Sequence, residues 1–130
     1  ARAIMEGVAF GVRQGLSDFE ANGYRTHRLT IMGGASKSEL WCQMIASVTH
    51  TTVLRLNQSD ICAVGAAMIA ACGLGIYRDY RQAAKAMVHM DRVYEPTDED
   101  EAFYDEKYQK YMHFWDCMKK YYERYGQKIY

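Results

Sequence analysis

The chain has 130 residues, enough for one domain with a real core. Hydrophobic residues make up 49% and charged residues 25%, an ordinary balance for a globular domain. A formal net charge of zero argues against a general binder of nucleic acid or of anionic membranes, either of which would show a basic excess.

The chain starts at Ala1-Arg2-Ala3, without methionine and already in a helical pattern, so it is expected to be a piece of a longer protein. No secretory signal opens it. A first helix is expected from the start to about Asn22, with Ile4, Val8, Val12, Leu16 and Phe19 as its apolar stripe. Gly7, Gly11 and Gly15 recur every four residues. Each glycine costs a helix roughly 0.5–1 kcal/mol relative to alanine. Three in register predict a second backbone packed close to that face. Asn22-Gly23 supplies a stop.

A strand follows at Arg28 to Met32, then a Gly33-Gly34 turn and a helix opened by the capping box Ser36-x-x-Glu39. The predicted face of this helix is Leu40, Trp41, Met44, Ile45 and Val48. Thr52 to Leu56 reads as a second short strand. Ser59-Asp60 is expected to cap a third helix with Ala63, Ala66, Ala67, Ala70 and Ala71 along one side, closed by Gly73-Leu74-Gly75. The uncharged run from Ile61 to Tyr77 falls short of a membrane span and predicts a buried core helix. Tyr80 to Met90 reads as another short helix.

Pro96-Thr97 breaks the chain. The last helix begins with Asp98-Glu99-Asp100-Glu101 and carries Lys119, Lys120 and Arg124 near its end, both in accord with the helix dipole. Tyr104, Tyr108, Tyr111, Trp115, Met118, Tyr122 and Tyr125 follow strict 4-3 spacing. Such a seam fits packing on the chain's own body or a helix-mediated dimer. Stacking on bases is disfavoured without a basic excess. The order of elements is an α/β pattern, helix-rich with two or three short strands, too few for a complete sheet.

The four cysteines (Cys42, Cys62, Cys72, Cys117) form no CxxC pair and read as free thiols of a reducing cytoplasm. The four histidines (His27, His50, His89, His113) show no metal-ligand spacing, so no metal site is expected. Asp18, Asp60, Asp79 and Asp91 match no catalytic motif and read as caps or solvated charges.

The strand–Gly-Gly–helix unit is the candidate site. It gathers unpaired backbone N–H groups and a partial positive charge at one spot, which accepts anions or polar nucleotide groups. It is neither GxGxxG nor a P-loop, and the same residues also fit a tight turn with no ligand. The stretch Met32-Gly33-Gly34-Ala35-Ser36-Lys37-Ser38, followed by Trp41 and Gln43, resembles the adenosine motif of the FGGY carbohydrate kinases. Arg2 to Phe10 resembles the end of that family's second signature. Asp60-Ile61-Cys62-Ala63-Val64-Gly65-Ala66-Ala67 is similar to the helix that follows, with aspartate where the family usually has glutamate.

The resemblance implies the C-terminal, nucleotide-binding part of an actin-like, ribonuclease-H-like ATPase domain, with the upstream lobe absent from this chain. It implies ATP with Mg2+ as cofactor, the metal held mainly by the missing part, and a sugar substrate of the pentulose class. By the same resemblance Gly34 and Ser38 sit at the nucleotide, while Gly33 and Ala35 shape the turn. The family's catalytic aspartate and phosphate loops lie upstream of every block found here, so no catalytic residue is expected in this chain. An unpaired sheet edge and bare apolar surface predict a homo-oligomer rather than a comfortable monomer.

Overall fold

The computed structural model describes residues 1–57 and 60–126. Five helices and three strands follow the order α1 (Arg2–Ala21), β1 (Arg28–Ile31), a 3₁₀ turn (Gly33–Lys37), α2 (Glu39–Thr49), β2 (Thr52–Leu56), α3 (Ile61–Gly73), α4 (Tyr80–Met87), β3 (Met90–Tyr94) and α5 (Asp98–Tyr125). The sheet runs β1-β2-β3, with β1 and β2 parallel and β2 and β3 antiparallel. Parallel neighbours need a crossover, and α2 supplies it. The sequence reading has no strand at Met90 to Tyr94. It also carries the helix to Met90, whereas α4 stops at Met87.

The core lies between α2, one face of the sheet, α1 and the first half of α5. It gathers Ala9, Phe10, Cys42, Met44, Val48, Val53 and the rings of Tyr94, Tyr104 and Tyr108. Val53 is opposite Tyr94 across the β2–β3 pair. Phe10 stands at the centre of an aromatic group, with ring centroids 6.4, 5.8 and 5.4 Å from Tyr104, Tyr108 and Tyr111.

Helix α1 buries a different face from the one its apolar stripe predicts. Ile4, Val8 and Phe19 are exposed, while Glu6, Ala9 and Phe10 are buried. Helix α1 packs mainly on α2, and along this face it also meets α5, which supplies charged and aromatic partners. Lys107 Nζ donates to both carboxylate oxygens of Glu6 at 3.1 and 3.0 Å, and Arg2 Nε adds a third bond at 3.0 Å. Burial works to raise the Glu6 carboxyl, but these hydrogen bonds outweigh it and hold the group below the ordinary carboxylate range. Arg13 pairs with Asp105 at 2.6 Å and lies over the Tyr108 ring. No atom stands within 4 Å of a Cβ built on Gly7, Gly11 or Gly15, so the close backbone expected against that face is absent among the described residues.

The aromatic seam of α5 divides. Tyr104 and Tyr108 are buried and Tyr111 is half-buried. Beyond them Trp115, Tyr122 and Tyr125 are exposed. A shallow apolar groove of about 440 Å³ runs between Trp115, Met118 and Tyr122.

The third helix also departs from expectation. It is capped by Asp60, whose carboxylate accepts from Ala63 N at 3.0 Å, but none of its residues is buried. Ser59, the other expected cap residue, lies outside the described residues. No helix among the described residues is long and apolar enough to cross a membrane.

Candidate functional site

Beyond Ile31 the chain leaves β1 through Met32, still extended, and enters the 3₁₀ turn. Gly33 has φ +72, a left-handed conformation that an L side chain adopts only under strain. Gly34 is conformationally ordinary, and nothing stands within 4 Å of the place its Cβ would occupy. Gly33 and Gly34 are exposed, Ala35 and Ser38 half-buried. The four expected residues therefore sit together on an open turn at the carboxyl end of a parallel strand, where open α/β sheets bind ligands.

The cap falls on a different serine from the one expected. Ser38, not Ser36, is the N-cap of α2, and its Oγ accepts from Trp41 N at 3.3 Å. Ser36 is buried and its Oγ donates to the Gly33 carbonyl at 2.7 Å, which ties the left-handed residue to the far end of the turn. Beneath it the Cys42 thiol donates to the Ser36 carbonyl at 3.7 Å. Burial pushes that thiol's pKa up, so it stays protonated for the purpose. The capping-box spacing thus marks a helix that begins three residues later, because the 3₁₀ turn uses Ser36 for itself.

Two residues of the motif flank brace α2. Gln43 Nε2 donates to the Glu95 carbonyl at 2.7 Å, which fastens α2 to the end of β3. Trp41 Nε1 is buried without a hydrogen-bond partner among the described residues. Of the four aspartates, Asp60 and Asp79 are caps of α3 and α4, and Asp18 is exposed. Asp91 is an exposed charge that also pairs with Arg55, at 2.5 Å.

A charged group beside the turn has no counterpart in the sequence reading. Glu39, the first residue of α2, accepts from Arg92 Nη1 at 2.5 Å and lies 3.8 Å from Arg55 Nη1. Arg55 and Arg92 are partners across the β2–β3 pair, and like charges in such positions oppose pairing unless neutralised. Glu39 and Asp91 neutralise them. The stretch Met90-Asp91-Arg92-Val93-Tyr94 shows no alternation of apolar and polar residues that would mark it as a strand.

Residues 1–74 match the C-terminal domain of the FGGY family of carbohydrate kinases. The chain belongs to that family. All three resembling blocks fall inside the matched span. A xylulose kinase of Staphylococcus epidermidis is 30% identical over 111 residues, covering 85% of this chain and 22% of the relative. A ligand-bound xylulose kinase structure from Lactobacillus acidophilus superposes with a TM-score of 0.83 at 21% identity, over 95% of this chain and 25% of that one. A Plasmodium falciparum glycerol kinase with ADP gives 0.67 at 22% identity, over 98% and 24%. These neighbours place the FGGY chain in the actin-like, ribonuclease-H-like fold, of which it forms a helix-rich part with a three-stranded mixed sheet. It spans about a quarter or less of their length.

Among the described residues no three His, Cys, Asp or Glu side chains gather closely enough to hold a metal ion. The turn leaves polar groups open to solvent. It offers open backbone at Gly33-Gly34, a helix N-terminus, and a Ser38 hydroxyl whose hydrogen is not used by the cap bond.

Proposed function

We propose that the whole protein is an ATP-dependent sugar kinase of the xylulokinase type, transferring the γ-phosphoryl of Mg-ATP to a hydroxyl of a pentulose. Residues 1–130 form the C-terminal part of its C-terminal domain and the adenosine wall of its cleft. Gly33 sets the bend, Gly34 and Ala35 present backbone, and Ser38 offers its hydroxyl. The catalytic base, the phosphate loops and the residues that hold Mg2+ belong to the rest of the protein. Phosphoryl transfer depends on positioning and charge stabilisation, so the 130-residue chain alone is inactive. A cytoplasmic location and a homo-oligomeric state complete the proposal.

The observation that carries it is Gly34. Its conformation does not require glycine and no described atom stands within 4 Å of a Cβ built there, which leaves that space open to a ligand. Gly34→Val in the full-length enzyme should weaken ATP binding about tenfold or more, which is ~1.4 kcal/mol, with little change in melting temperature. An unchanged ATP dissociation constant sinks the proposal. A second reading, a non-catalytic module that dimerises through α5, draws on the exposed rings of Trp115, Tyr122 and Tyr125. It requires that Gly34 and Ser38 variants leave nucleotide binding untouched.

A further inference from the structure

Glu39 follows Ser38 directly and is the acidic residue in the first turn of α2, the helix that the glycine turn opens. An acidic residue in the first turn favours a helix, but the same charge opposes any anion approaching that helix end. The structure answers this conflict with two guanidinium groups. Arg92 Nη1 is 2.5 Å from Glu39 Oε1, and Arg55 Nη1 is 3.8 Å from the same oxygen. Asp91 grips Arg55 from the other side, at 2.5 Å from Nη2 and 2.7 Å from Nε. Both guanidinium groups lie over the ring of buried Tyr94, at 5.5 and 5.9 Å, so they are seated as well as paired. The four formal charges cancel.

We infer that the Arg92–Glu39–Arg55 clamp belongs to the nucleotide site: it cancels the charge of Glu39 where an anionic ligand arrives. Arg92 is the positioning residue for ATP. This rests on the assignment of Gly33 to Ser38 as the nucleotide wall. A clamp that only stabilised the fold would lower the melting temperature of every variant and leave ATP and sugar affinities in their original ratio. An electrostatic clamp has opposite signs at its two ends. Removing Arg92 leaves a surplus negative charge beside the turn, and neutralising Glu39 leaves a surplus positive one.

The test uses the full-length enzyme, with KM for ATP and for sugar measured at low and high salt. Arg92→Ala should raise the ATP KM about fivefold at low salt and less at high salt. The sugar KM should stay within about twofold. Arg92→Lys should restore most of the loss. Glu39→Gln should not raise the ATP KM, and the double variant E39Q/R92A should fall back within about twofold of the parent. An unchanged ATP KM in Arg92→Ala overturns the inference. So does a double variant as impaired as the single one. Gly34→Val is measured alongside. If it weakens ATP while Arg92→Ala does not, only the clamp falls; if it too has no effect, the nucleotide wall falls and the clamp with it.

Discussion

Helices α2 and α3 make an instructive pair. Helix α3 is the more apolar, without a single charged residue from Ile61 to Gly73, yet none of its residues is buried. Helix α2 begins with glutamate and contains Gln43 and Ser47, yet it buries every residue from Met44 to Thr49. What separates them is position. Helix α2 is the crossover between parallel strands, with α1 and α5 packed on it and the sheet beneath. Helix α3 leaves the sheet after β2 and meets chiefly the short α4. Apolar composition states that a surface wants cover, and topology decides whether cover is at hand. For α3 that cover is absent among the described residues.

The sharpest way to break this contrast is to truncate both helices in the 130-residue chain. Met44→Ala should cost about 2–5 kcal/mol in denaturant unfolding, while Ile69→Ala, at 62% exposure, should stay within ~0.5 kcal/mol. Equal costs would show that α3 is covered in solution; dilution should then shrink the Ile69 effect if the cover is a second copy. The turn that opens α2 provides a smaller effect. Gly33→Ala forces a side chain into φ +72 and should cost about 1–3 kcal/mol in thermal melts, whereas Gly34→Ala should be nearly neutral.

The α1–α5 contact beneath α2 supplies a pH test. The Glu6 carboxyl is held below its ordinary value of 4.5, so its contribution is present at neutral pH and is lost as the pH falls through and below that value. Glu6→Gln should flatten the acid limb of the stability curve and cost about 1–3 kcal/mol at pH 7. Smallest of all is the cap. Ser38→Ala should cost about 0.5–2 kcal/mol, and an unaltered melting temperature would return the cap to Ser36.

Much of the fold was legible because local signals and topology agreed. The strand at Arg28, the strand at Thr52, the stop at Asn22 and the acidic start of α5 are all where residue pattern puts them. The failures share one cause, which is that partners distant in sequence, present or missing, decided what the local pattern could not. Helix α1 turned its Glu6 and Phe10 inward because Lys107 and the rings of α5 were there to receive them. Strand β3 escaped notice because its pairing partner lies across the whole α3–α4 segment and its own run is short and charged. The aromatic spacing of α5 runs without a break from Tyr104 to Tyr125, but the body it packs against does not extend that far. At the candidate site, the positions of Gly33, Gly34, Ala35 and Ser38 were legible. The left-handed conformation of Gly33, the cap at Ser38 and the clamp on Glu39 were not, since each depends on geometry that spacing does not encode.

One backbone hydrogen bond carries a topological consequence. Asn57 N donates to His89 O at 2.9 Å, so the chain returns to the sheet at the point where it left. The α3–α4 segment is therefore an insertion into a β2–β3 hairpin, and the ladder is complete without it. Replacing roughly thirty residues by a turn of about four would shorten the closure by three doublings and recover about 1.8 kcal/mol of loop entropy. The body of α1, α2, α5 and the sheet should survive that excision as a smaller and more soluble protein, shorn of its bare apolar helix.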